Sequence, residues 1–215
     1  MMVAEIAFAH YIFHSLIAGN TTSVGAVRQP QNYDPVEIEN VTSTVMTCNV
    51  NPTPAIQTVS VPAGSTLGFN VLSESDNQIF HQGPAAVYLG MAPVPAASWN
   101  GSGANCSKIA EWGATFTPLV NFTDFGATQL TTTIPAATPS GEYLARIEQI
   151  GLHIPGAPQW YISCAQIKIT GGGSGNPSKV SIPGYVNASD PSLTLSIYDP
   201  IPTSYTVPGP AVWRG

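Results

Sequence analysis

The stretch Ala7-Phe8-Ala9-His10 places an A-x-A signal-peptidase site directly before a histidine. Cleavage after Ala9 would leave a chain whose first residue carries a free α-amine beside an imidazole, so one residue can offer a metal two nitrogens. A second histidine from across the fold would complete a three-nitrogen site suited to copper. The chain has four histidines: His10, His14, His81 and His153. His14 would lie on the same strand face as His10, but four residues of strand span roughly 13 Å. That is too far to share one ion, and His14 is read as a structural residue. His81 stands in His81-Gln-Gly-Pro84, where glycine and proline fix a turn and hold the ring at a strand end.

A third constellation is Leu152-His-Ile-Pro-Gly-Ala-Pro-Gln-Trp-Tyr161. Pro155, Gly156 and Pro158 mark a reversal between two apolar strands, and such a hairpin sets His153 opposite Gln159. Gln159 and Tyr161 are two apart and would point to one face about 7 Å from each other. One patch would then present an imidazole, an amide and a phenol. The plainer reading of this spacing is an ordinary hairpin with a hydrogen-bonded His–Gln pair. Other chemistries lack their parts. There is no G-x-S-x-G elbow and no H-E-x-x-H zinc helix. Three scattered cysteines make no zinc knuckle, and the acids offer no evident pair of facing carboxylates for a glycosidase.

The elements that must position these residues follow from composition. The chain has 215 residues, of which 43% are hydrophobic, enough for one sizeable domain over residues 10–215. Only 8% of residues are charged, against the usual quarter or so. A net charge of −6 argues against nucleic acid and anionic membrane as partners and leaves a neutral polymer such as polysaccharide open. No later apolar run is long enough for a membrane span.

Residues 1–9 read as a residual signal peptide or a start-site artefact, with Glu5 where a basic region would be expected. The alternative is that they are the native N-terminus. Six Asn-x-Ser/Thr sequons, at Asn20, Asn40, Asn100, Asn105, Asn121 and Asn187, join the cleavage site in favouring a secreted, glycosylated protein. Cys48, Cys106 and Cys164 allow one disulfide and leave one cysteine over.

Twenty glycines and twenty prolines indicate many turns and short strands. Strands are expected at 10–18, 56–61, 66–72, 85–90, 129–134, 142–152, 159–170 and 193–198, with Val59 to Leu67 reading strand, turn, strand. A short helical piece is expected near 107–111. The fold class is all-β: an immunoglobulin- or fibronectin-III-like β-sandwich, with a jelly roll as the alternative. Beyond the glycine-rich 171–177 stretch, a long loop should return across the sandwich and end at Tyr205-Thr-Val-Pro-Gly-Pro-Ala-Val-Trp213.

From His10 to Trp213 the chain resembles the fungal cellulose-active lytic polysaccharide monooxygenases of auxiliary-activity family nine. The resemblance is carried by His10 after a cleavage site, by His81-Gln-Gly-Pro84 and by Gly141-Glu-Tyr-Leu-Ala-Arg-Ile-Glu148. It continues through Leu152-His153, Gln159-Trp-Tyr-Ile-Ser-Cys-Ala-Gln166 and Pro208-Gly-Pro210. It implies one copper ion held by the amine and ring of His10 and by the ring of His81, with Tyr161 axial. It implies that His153 and Gln159 act by hydrogen bonding beside the ion, and that Cys48 and Cys164 form a disulfide, worth roughly 4–5 kcal/mol for so long a loop.

Long loops would form a flat substrate face to which Tyr205 and Tyr198 contribute aromatic rings. The implied function is oxidative cleavage of cellulose or a related β-1,4-glucan at C1 and/or C4 by a secreted monomer. The co-substrate would be O₂ or H₂O₂, with electrons from a small reductant or a redox enzyme. Two other readings of the residues are a non-catalytic carbohydrate-binding sandwich and a copper-binding sandwich without oxygenase activity. Cys106 departs from the family pattern, having no second partner for the usual additional disulfide.

Overall fold

A computed structural model describes residues 10–73, 76–117 and 119–215. The expected leader, residues 1–9, lies outside them. Thirteen strands run in the order β1 (Tyr11–Ala18), β2 (Thr21–Ser23), β3 (Val36–Glu37), β4 (Val59–Pro62), β5 (Thr66–Ser73), β6 (Ala85–Met91), β7 (Gly103–Trp112), β8 (Ala114–Thr115), β9 (Asn121–Phe122), β10 (Gln129–Thr133), β11 (Gly141–Gly151), β12 (Gln159–Thr170) and β13 (Val180–Ile182). Among the described residues two one-turn α-helices, α1 (Val45–Cys48) and α2 (Pro191–Thr194), and two short 3-10 turns (Ile38–Asn40 and Ala96–Ser98) complete the regular structure.

The strands make a sandwich, as composition and turn residues predict. One sheet has the order β10-β5-β1-β2 and the other β13-β7-β6-β11-β12-β3. Strand β4 adds in parallel to the end of β12. The segment from Val59 to Leu67 is strand, turn, strand as expected, yet it is no hairpin: β4 joins one sheet and β5 pairs with β1 in the other.

Alternation along the strands builds the interior. Phe13 and Leu16 of β1, Leu67 and Phe69 of β5, and Ala145 and Ile147 of β11 are all buried in the core between the sheets, with Ala165 and Ile167 of β12. A bulge between Phe13 and Ser15 shifts the register, which keeps the apolar side chains of β1 inward on both sides of it. A second apolar layer forms on the outer face of the larger sheet, where Tyr88, Ile150, Trp160 and Ile162 are covered by loops and the C-terminal segment. Burying two layers is what lets a chain with so few charges fold as one body. Cys48 of α1 is bonded to Cys164 of β12 as implied, and Cys106 is a free, buried thiol.

Two local expectations are corrected. Residues 107–111 are not helical; they lie within β7, which pairs with β6 and β13. Lys108 disguises this strand because its ammonium is buried, donating to Glu111 Oε2 and Pro208 O at 2.8 Å each. Residues 193–198 form no strand. Asp190 caps α2 by accepting from Ser192 N at 2.9 Å, and Pro191 opens the helix. The chain then runs as a loop back over the sandwich, where Trp213 N donates to Lys108 O at 2.8 Å.

A candidate metal centre at one end of the sandwich

Three elements converge at one end of the sheets. Strand β1 begins immediately after His10, so pairing of Tyr11 with Ser73 in β5 anchors the residue next to it. His81 sits in the turn leading into β6. Gly83 is required there, since a Cβ at that position would meet Ile150 O at 1.7 Å. The β11–β12 hairpin supplies the remainder. The Pro-Gly-Pro reversal is where the sequence predicts it, but the register is two residues off, since Gly151 and not His153 stands opposite Gln159 and His153 lies in the connecting turn.

The rings form a packed group. The centroids of His10 and His81 lie 6.2 and 5.6 Å from that of Tyr161. His153 stacks on His81 at 3.7 Å with only 10° between the planes. Gly151 permits that stack, because a Cβ there would come within 3.0 Å of His153 Nδ1 and 3.4 Å of His81 Cβ. Tyr161 donates to Gln159 Oε1 at 3.2 Å, so this pair shares a face as its spacing predicts, and Gln159 Nε2 in turn donates to Glu37 Oε1 at 2.9 Å. His153 meets His81 rather than making a recorded hydrogen bond with Gln159. His14 lies further along β1, where it is only partly buried.

The electrostatics of the site follow from burial. Desolvation and then the nearby His10 hold the His153 imidazole below its ordinary value, which favours the neutral ring at pH 7. Burial, and secondarily the Glu37 carboxylate, pushes the Tyr161 phenol well up, so it remains protonated. A layer beneath these rings was not legible in the sequence. Tyr11 stacks on Tyr161 at 4.3 Å and donates to Gln149 Oε1. Gln149 Nε2 donates to the carbonyls of His81 at 3.1 Å and Gly83 at 3.3 Å.

The surface around the rings is shallow. On one side a depression beside His10 is lined by Ile12, Tyr33, Asp34 and Leu72, and the Asp34 carboxylate lies 3.9 Å from His10 Nδ1. On the other, exposed Tyr198 donates to His153 O at 3.1 Å. Tyr205 is placed differently: it packs edge-on against Phe122 and donates to Ser192 O at 3.1 Å, which leaves Tyr198 the more exposed of the two. Tyr33, exposed in an irregular loop, carried no sequence signal.

Among the described residues there is no group of three or more His, Cys, Asp or Glu side chains able to hold a metal ion. The nitrogen donors at this end are the imidazoles of His10, His81 and His153, with the Tyr161 phenol beside them. Such a nitrogen-rich, thiolate-free set fits copper, with a chain-terminal amine as its natural additional nitrogen.

A β-sandwich carrying paired histidines beside a buried tyrosine at an open end defines a class of oxidoreductases, the lytic polysaccharide monooxygenases. The chain belongs to Auxiliary Activity family 9 (formerly GH61), whose family model matches residues 10–205. It is 46% identical to the AA9 family lytic polysaccharide monooxygenase H of Malbranchea cinnamomea, across 100% of this chain and 96% of that protein. It is 44% identical to the AA9 family lytic polysaccharide monooxygenase E of Podospora anserina, across 99% of this chain and 71% of the relative. Among solved structures, a cellulose-active polysaccharide monooxygenase from M. thermophila superposes with a TM-score of 0.80 at 31% identity, covering 96% of this chain and all of the other.

Proposed function

We propose that this chain, matured by cleavage after Ala9 and secreted, is a copper-dependent monooxygenase that cleaves cellulose or a related β-1,4-glucan at C1 and/or C4. Residues 1–9 are then the remnant of a signal peptide and 10–215 a single catalytic domain acting as a monomer. The observation that carries this reading is the approach of the His10 and His81 rings to Tyr161 at the very point where the mature chain would begin.

In this reading His10, through its α-amine and ring, and His81 would hold the ion, with the Tyr161 phenol beside it. When bound, copper would supply one-electron chemistry toward O₂ or H₂O₂, with electrons from an external reductant, small molecule or redox enzyme. The protein's residues do the remainder. Stacking on His81 fixes the plane of the His153 ring while Tyr198 ties down its backbone carbonyl, so that the neutral ring can orient the oxygen co-substrate by hydrogen bonding. Gln159 is held by Glu37 and Tyr161 and lends an amide to the same task. Glucan lies across the open end, its sugar faces against Tyr198 on one side and Tyr33 on the other. A flat face suits a crystalline polymer that cannot enter a cleft. The cellulose activity of the M. thermophila neighbour supports this choice of substrate.

Two preparations test the reading, one beginning at His10 and one retaining Ala9. Calorimetry should show copper binding at least about 100-fold tighter to the first, since the second offers an amide in place of an amine. Only the first, incubated with cellulose and ascorbate, should release oligosaccharides with the masses of aldonic acids or gem-diols. Equal copper affinities would remove the terminal amine from the site, and absence of oxidised products would remove the activity.

A further inference from the structure

The groups assigned so far leave one buried acid unused. Asp124 is fully buried, and neither carboxyl oxygen makes a hydrogen bond. Its turn runs alongside the segment that carries His81. Ile79 N donates to Ala127 O at 2.9 Å, Gly126 N to Ile79 O at 2.8 Å, and Phe122 N to Gln82 Oε1 at 3.0 Å. From β11 the Gln149 carboxamide grips the same segment through the carbonyls of His81 and Gly83. The turn's own backbone at Asp124 and, after it, the Gln149 amide lie close enough to favour the ionised form, though neither is aligned for a hydrogen bond to the carboxyl oxygens. The titratable groups facing Asp124 are two phenols, Tyr11 from β1 and Tyr205 from the C-terminal segment, both pushed well up by burial.

We propose that Asp124 is a positioning residue for His81, acting through Gln149: as a neutral acid it leaves the carboxamide bound to the His81 and Gly83 carbonyls, and as a carboxylate it draws those amide protons to itself. The physical ground is competition for one donor group. A neutral carboxyl is no better an acceptor than a backbone carbonyl, whereas hydrogen bonds to a carboxylate are roughly twice as strong. The contest is sharpest out of water, where a buried carboxylate has few other means of stabilisation. The two bonds at stake, at 3.1 and 3.3 Å, are long enough to yield. Burial, the larger influence, raises the acid to about 8, which puts the change within reach of ordinary experiments. The significance of the switch for catalysis rests on the reading of His81 as a copper ligand; the switch itself does not.

The first measurement uses metal-free protein beginning at His10, labelled with nitrogen-15. Between pH 6 and 10 the side-chain amide of Gln149 and the backbone N–H groups of the His81 turn should shift together in one step with a midpoint near 8. Asp124→Asn, which cannot ionise, should abolish the step. If that variant does not fold, Gln149→Met must uncouple the His81 turn from the titration. Absence of the step in the unaltered protein, or its persistence in the variant that folds, overturns the proposal.

Copper(II) ion is then added and its paramagnetic resonance spectrum followed over the same range. The copper hyperfine splitting should change in the unaltered protein and stay constant in Asp124→Asn. A proton-linked step with no nitrogen-ligated copper supports the Asp124–Gln149 switch while removing the metal reading. Nitrogen-ligated copper with no step sinks this inference alone.

Discussion

The two faces of β11 bury polar groups in opposite ways. On the outer face Arg146 and Glu148 are both almost fully buried, and they form an ion pair at 2.8 Å. Arg146 also donates to Met46 O and Thr47 O and lies over the Tyr88 and Tyr185 rings, while Tyr185 donates to Glu148. On the inner face Gln149 donates to the His81 carbonyl, and the buried acid Asp124 has no aligned hydrogen bond to either carboxyl oxygen. Nearby His153 Nδ1 is likewise buried without a partner. The outer face ties its charged groups to one another and so fixes the sheet, although Tyr88 Oη and Trp160 Nε1 there make no hydrogen bond either. The inner face instead packs an acid with no ion pair beside a hydrogen-bonded carboxamide, and it lies next to the site. One strand thus separates a charge cluster that only has to hold still from one whose protonation can change.

The largest effect should come from breaking the paired side. Arg146→Ala leaves Glu148 buried without its cation, a change that costs about 3–5 kcal/mol. Denaturant unfolding should show a matching fall in midpoint with an unchanged slope. A loss under about 1 kcal/mol would mean that the ion pair is not the tie it resembles.

The unpaired side should respond in the other direction. The Asp124 acid ionises near 4 in an unfolded chain and near 8 in the folded one, so between those values the native state holds a proton that the unfolded state has released. Stability should therefore fall as pH rises through this window, by up to about 1.4 kcal/mol per pH unit. Asp124→Asn lacks that decline. Its melting temperature should match the original near pH 4 and exceed it at pH 8, and parallel curves would contradict the unpaired burial. The smallest change is Tyr11→Phe, which deprives Gln149 Oε1 of its donor and should cost about 1–3 kcal/mol. Copper resonance parameters should shift with it if this layer supports His81, and remain fixed if it does not.

Legibility in the sequence followed locality. The β11–β12 hairpin could be read because two long apolar runs flank Pro155, Gly156 and Pro158, and because Gln159 and Tyr161 need only strand periodicity to share a face. His81 was marked by the glycine and proline that follow it. The inner layer was hidden because Tyr11 meets Gln149 across 138 residues, a contact made by sheet stacking with no local trace. Strand β7 was hidden by Lys108, whose buried ammonium depends on Pro208 O, 100 residues away. The mistaken strand at 193–198 has the converse origin. Its apolar residues pack against the outer layer from a loop, so their burial gives no periodic pattern.

The single disulfide joins α1 to β12 only three residues beyond Tyr161, and its sulfur-bearing residues are 2% and 1% exposed. Under the proposed function the open end would meet electron donors, and the one reducible bond between described cysteines is sealed from solvent. Reductants serving the proposed chemistry would then leave the scaffold intact, and the thiol left over at Cys106, buried and raised to about 11, is poorly suited to attack that bond from within.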